Sequence, residues 1–313
     1  MNYIKLMLSV FKSIFLKLIA LPNLNYLATI RPDTFFFRKY YFIFAQKFLF
    51  KKDQIERSKI LPRLKVSEFV ISDDLGYQVI NSNDPILMRS INYSKQILKN
   101  KDLIQKDTLY ESININPMQN EHLPILKLAV SDLLVEPIAR YLGSLPILFQ
   151  ANIVFSPNDS TLKNSAQFIH LDRDDFRIIK CFIPLDLIDK DSGPLNFFDK
   201  KDTRAIYKRL FKQGDIFQTG TRLHDSKIIA DEWNNAKMFT GDVGDIAFVD
   251  TANCFHFGSR KASKPRSIIL LEYSTPFNQN LPIFKRQYFN FEEYDFEDNI
   301  LATKVLGLSD QYH

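Results

Sequence analysis

Four residues in the second half of the chain have types and spacing that can do redox chemistry at a metal. His170 and Asp172 stand two apart in FIHLDRDD, at the end of a predicted strand. On an extended chain that spacing puts both side chains on one face. His256 follows 86 residues later in DIAFVDTANCFHFGS, and Arg266 opens the run RSIILLEYST ten residues after that. Two neutral imidazoles and one carboxylate make a face on a divalent metal that leaves other positions open. An arginine entering an apolar strand brings five donors that need partners, and a planar carboxylate suits its fork.

Each signal has a commoner reading. An H-x-D triplet arises by chance, a histidine on an apolar strand is often a hydrogen-bonded core residue, and a strand-end arginine often lies on the surface. The order is what discriminates: H-x-D early, a distal histidine late, an arginine soon after. His224, in TRLHDS, reads as a loop residue rather than a ligand, and Cys181 and Cys254 as small buried apolar residues.

At these residues the chain resembles the phytanoyl-CoA dioxygenase-like branch of the iron(II)/2-oxoglutarate oxygenases. The resemblance is carried by His170-Leu171-Asp172, by FIPLDLIDKDSGPLNFF, and by His256-Phe257-Gly258-Ser259 through Pro265-Arg266. It extends upstream through YLG at 141–143 and DLGYQVI at 74–80, and covers residues 66–276. It implies a double-stranded β-helix, a jelly-roll barrel with the metal at its mouth. It assigns Fe(II) to His170, Asp172 and His256, and the distal carboxylate of 2-oxoglutarate to Arg266. Ser259 stands near where a hydroxyl assists that carboxylate, although the usual offset from the histidine is one residue shorter. Dioxygen would be the oxidant, with succinate and carbon dioxide released and a small-molecule or lipid-like substrate hydroxylated. Related halogenases replace the carboxylate with a small residue; Asp172 is retained, which favours hydroxylation. The family's usual Pro-Gly-Ser-His turn after Gly-Pro-Leu is replaced here by Asn196-Phe197-Phe198-Asp199, a departure that bears on the substrate rim.

The elements that must position these residues agree with that fold class, mainly β with flanking helices. From Ile147 onward come short β-rich runs: ILFQANIVFS, AQFIHLD, RIIKCFIPLD, PLNFF, DIAFVD, CFHFG and RSIILLEYST. Many short strands bounded by turn residues favour an antiparallel barrel or sandwich. Before them, Asp84 is placed to cap a helix from Pro85 to Leu98. His122 to Leu142 reads as a single helix closed by Gly143, and Asp199 to Phe211 as a helical insertion. Alternation along the strands does not decide whether Lys180 and Gln150 point inward. Pro157–Ala166 and Gly214–Asn235 are expected to form the rim.

Composition narrows the alternatives. Residues 1–65 hold 13 Lys+Arg against 3 Asp+Glu, a net of +10, while residues 66–313 hold 28 against 33, a net of −5. The acidic remainder argues against a nucleic-acid-binding catalytic domain. Two cysteines cannot form a disulfide framework, which points to a reduced, cytoplasmic setting. Residues 1–65 read as a basic, aromatic-rich helical extension to an oxygenase domain at 66–313. Lys5, Lys12 and Lys17 interrupt its first apolar stretch, which therefore reads as an amphipathic helix rather than a membrane span. With FFFRKYYFIFAQKFLF at 35–50 it can pack on the main domain or touch an anionic membrane surface. Two rival readings stand beside the oxygenase: a non-catalytic jelly-roll binding protein, and a peripheral membrane protein acting through residues 1–50. The sequence leaves the oligomeric state open.

Overall fold

The computed structural model describes residues 51–309, apart from 101–110, 118–119, 158–164, 217–220, 259, 261, 277, 279–283 and 286–294. The expected amphipathic and aromatic segments at 1–50, Ser259, and the 158–164 and 217–220 portions of the expected rim lie outside the described residues.

Two antiparallel sheets carry the architecture. The larger has the order β1-β7-β4-β9-β3-β2, formed by β1 (Tyr77–Asn81), β2 (Glu111–Asn114), β3 (Ile147–Ser156), β4 (Ile178–Pro184), β7 (Asp245–Asp250) and β9 (Arg266–Ser274). The smaller has the order β6-β5-β8, formed by β5 (Leu195–Phe197), β6 (Lys237–Phe239) and β8 (His256–Phe257). Isolated bridges His170↔His256 and Ile169↔Leu223 widen the smaller sheet by two further segments. Val154, Phe182, Ala247, Val249 and Ile268 of the large sheet pack against Leu195, Phe197 and Phe239 of the small one. The chain passes repeatedly between the two sheets, and the result is a double-stranded β-helix.

The outer face of the large sheet is covered by helices α2 (Pro85–Asn100), α3 (Leu123–Ala129), α4 (Asp132–Leu142) and α6 (Asn299–Val305). Ala151, Ile153, Ile179, Cys181, Ile183, Phe248, Ile269 and Leu271 meet Leu87, Ile91, Leu126, Val135 and Ile138 in one buried cluster. Asp84 caps α2 as expected, its Oδ1 accepting from Ile86 N at 2.8 Å. Gly143 closes α4 with φ of 71°. The single helix expected over 122–142 is instead two. Val130 takes a non-helical conformation and Ser131 an extended one, so the ladder restarts at Asp132. Periodicity continued across the break because both helices bury the same side.

Helix α1 (Lys51–Ile60) also reaches this core. Ile60 and Leu64 are buried in it, and Arg57 donates to Leu145 O at 3.3 Å. Helix α5 (Lys200–Gln213) is the expected insertion. Asp199 caps it by accepting from Asp202 N at 2.9 Å, and Gly214 ends it with φ of 79°. It packs against the back of the small sheet through Ile206, Tyr207 and Leu210. Among the described residues, no helix is long and apolar enough to cross a membrane.

Candidate metal centre

Alternation on two short segments aims the site. Ile169 and Leu171 join Phe255 and Phe257 in the cluster beneath α5, all four buried. The intervening His170, Asp172 and His256 must then face the other way, into the barrel. The backbones interlock there. His170 N donates to His256 O at 3.1 Å, His256 N returns to His170 O at 3.0 Å, and Asp172 N reaches Thr251 O at 2.9 Å. Thr203 of α5 accepts from Phe255 N at 2.8 Å, which ties the helix to the strand next to His256.

A buried polar anchor holds the two ligand segments together. One Asp250 oxygen accepts from Tyr141 Oη at 2.6 Å and from Asn253 Nδ2 at 2.8 Å. The other accepts from Ile178 N at 3.3 Å. Asp250 thereby joins the turn leading to His256 with the strand that follows Asp172.

His170, Asp172 and His256 converge: one ligand atom from each lies within 4.8 Å of the others. His170 Nε2 stands 3.8 Å from Asp172 Oδ1, and His256 Nε2 stands 3.7 Å from Oδ2. His170 Nδ1 is 2.7 Å from Phe168 O and His256 Nδ1 is 3.1 Å from Cys254 O. A carbonyl can only accept, so Nδ1 carries the proton in each ring and Nε2 keeps its lone pair. Burial lowers the pKa of both imidazoles, that of His170 to about 3, assisted by the neighbouring His256 and against the pull of Asp172. Both rings are neutral near pH 7. Burial pushes Asp172 up, but Lys180, His256 and His170 outweigh it and hold the carboxyl below the usual range. Two neutral nitrogen donors and one carboxylate fit a first-row divalent metal.

Lys180 points inward. Its Nζ lies 2.8 Å from Asp172 Oδ2 and 3.2 Å from Glu272 Oε2. Lys180 and Glu272 are directly opposite across β4 and β9. Burial disfavours the ammonium, but Asp172 and Glu272 more than offset it and raise its pKa. Burial pushes Glu272 up to about 7 against the pull of Lys180. Gln150 is opposite Glu272 on β3 and is exposed.

Arg266 opens β9 with its Nη1 donating to Gly193 O at 2.7 Å. Its surface is half-buried, yet enough protein surrounds the guanidinium for desolvation to lower its pKa to about 10. A Cβ built on Gly258 would sit 3.8 Å from Nη1 and 3.9 Å from Nη2. Gly258 and His256 face the same side of one extended segment, so the guanidinium shares a side with the His256 ring, roughly 7 Å along the strand.

His224 does not join the cluster; its ring lies 4.9 Å from Phe168. Sequence reasoning missed Glu272 and Arg222. The Ile169↔Leu223 bridge sets Arg222 opposite His170, and its charge lowers the His170 pKa further. For Glu272 the signal was present: one carboxylate inside RSIILLEYST, on the same alternation as Arg266.

No protein-family model matches the chain, and no curated protein matches it in sequence. Among solved structures, HygX from Streptomyces hygroscopicus with nickel and 2-oxoglutarate bound is 16% identical with a TM-score of 0.48; the match covers 68% of this chain and 87% of that one. EctD from S. alaskensis in its apoform is 17% identical with a TM-score of 0.48, over 70% of this chain and 82% of that one. The non-heme alpha ketoglutarate dependent epimerase SnoN from nogalamycin biosynthesis is 11% identical with a TM-score of 0.43, over 71% and 83%. What this site can do follows from its own atoms.

Proposed function

We propose that the chain is a non-haem Fe(II), 2-oxoglutarate-dependent dioxygenase that hydroxylates a small-molecule or lipid-like substrate. The observation that carries this reading is the convergence of His170, Asp172 and His256 within 4.8 Å on the inner side of the barrel. These three residues would hold Fe(II) through the two Nε2 atoms and the Asp172 carboxylate. With 2-oxoglutarate and dioxygen bound, the metal supplies oxidative decarboxylation of the keto acid coupled to hydroxylation of a C–H bond.

The protein's own part is binding, orientation and exclusion of water. Arg266, set along the strand from His256, offers its guanidinium to the distal carboxylate of 2-oxoglutarate. A Cβ at Gly258 would lie in ordinary contact with that guanidinium, so glycine leaves its approach open where a longer side chain would crowd it. Carbonyl contacts at both Nδ1 atoms hold the rings in the ligating tautomer. The buried walls of the barrel keep bulk water from the reacting bond. Ser259 is retained as a candidate second contact for the same carboxylate.

Anaerobic titration with Fe(II) and 2-oxoglutarate tests the reading. A visible charge-transfer band should grow with both ligands in the unmodified protein and fail to form in Asp172→Ala. A barrel that binds neither would favour a non-catalytic jelly-roll protein instead, and a band indifferent to Asp172 would remove Asp172 from the ligand set.

A further inference from the structure

We infer that Lys180 and Glu272 form a charge-compensating pair beside Asp172 that sets how tightly the triad holds its metal. The inference rests on the metal-site reading above and adds two charge-balancing residues to it, neither of them a ligand.

The geometry is specific. Lys180 and Glu272 are cross-strand partners on the inner face of the large sheet, and the ammonium lies between two carboxylates. All three side chains are largely out of solvent, at 14% exposure for Asp172, 17% for Lys180 and 5% for Glu272. One oxygen of Asp172, Oδ2, faces both the ammonium and His256, while Oδ1 faces His170.

Charge explains why Glu272 is needed. The triad has one negative charge, that of Asp172. Lys180 alone would cancel it and leave a divalent cation facing a neutral donor set in a low-dielectric barrel, where a nearby ammonium is strongly felt. Glu272 returns the net charge of the group to −1. A purely structural ion pair would leave metal affinity unmoved when both members are removed or one is removed. A compensating pair predicts weakening when Glu272 alone is neutralised and recovery when Lys180 is removed with it.

The test is Co(II) titration of the full-length protein, with Co(II) as the sole added ligand, at about pH 8 so that both carboxylates are ionised. Glu272→Gln leaves a net charge of zero and should weaken Co(II) binding by about tenfold or more. Lys180→Met should not weaken it, because Glu272 loses the ammonium that keeps it ionised, takes up a proton and leaves the net charge near −1. The double variant restores −1 and should bind within about threefold of the unmodified protein. If Lys180→Met does not fold, with two buried carboxyl groups facing each other, the comparison of Glu272→Gln with the double variant still decides. Equal Co(II) affinity in Glu272→Gln and the unmodified protein would overturn the inference, as would a double variant as weak as Glu272→Gln. Failure of the unmodified protein to bind Co(II), or binding indifferent to His256→Ala, would instead overturn the metal-site reading beneath it.

Discussion

The two faces of the large sheet come from the same strands, but the inner face combines apolar residues with buried charge. On the outer face, Ile179, Cys181, Ile183, Phe248, Ile269 and Leu271 are fully buried beneath helices. On the inner face, the residues between them include Lys180 on β4, and Arg266 and Glu272 on β9. A strand presents alternate residues to opposite sides, so one run such as RIIKCFIPLD serves both without compromise. Burial of apolar area stabilises the fold on the outer face and on the apolar part of the inner one, formed by Val154, Phe182, Ala247, Val249 and Ile268. The inner face spends some of that stability to hold charges out of water, at a cost offset by pairing. The site is not an addition to the barrel but part of the same alternating pattern.

This division can be broken by substitution. The largest effect is expected on the inner side: Asp172→Ala should lower Fe(II)- and 2-oxoglutarate-dependent turnover by more than about a thousandfold. Its melting temperature should stay near that of the unmodified protein, since Lys180 retains Glu272 as a partner. Succinate release and calorimetry on one sample measure both. A loss of folding in this variant would mean that the inner face is also structural.

Next comes the outer face. Phe248 is fully buried and its ring centroid lies 5.4 Å from that of Phe69. Phe248→Ala should cost about 3–5 kcal/mol in urea unfolding, through lost transfer energy and an unfilled cavity. Metal affinity measured well below the transition should change little, because Phe248 faces away from the triad.

A smaller effect separates the two ends of the inner face. Gly258→Val would set a branched side chain against the Arg266 guanidinium. It should raise KM for 2-oxoglutarate by about tenfold, the scale of a misfitting side chain in a binding pocket. Metal affinity in the absence of 2-oxoglutarate should remain within about twofold. Equal losses in both would show that Arg266 and the triad do not act as separate subsites. The smallest expected change is Asp84→Ala, which removes the cap of a helix on the outer side and should cost about 1 kcal/mol with no change in turnover.

Much of this was open to reading before any coordinates. β3 and β7 match the runs ILFQANIVFS and DIAFVD residue for residue, because β-branched and aromatic residues between turn signals have few other uses. The caps at Asp84, Gly143 and Asp199 act within a few residues of themselves, which is why local sequence specifies them. The break at Val130–Ser131 was hidden, since neither a proline nor a glycine marks it. β6 was hidden as well, because Lys237–Phe239 is too short to show a period.

The identity and order of His170, Asp172, His256 and Arg266 belong to the sequence alone, and so does the alternation that lets neighbours face opposite sides. Their convergence does not. It depends on the bridge between His170 and His256, formed across 86 residues of chain, and on the register that sets Lys180 against Glu272. Pairing between distant strands has no local signature, and a slip of one residue would turn each of these side chains to the other face. Only the closed sheet decides which charges meet.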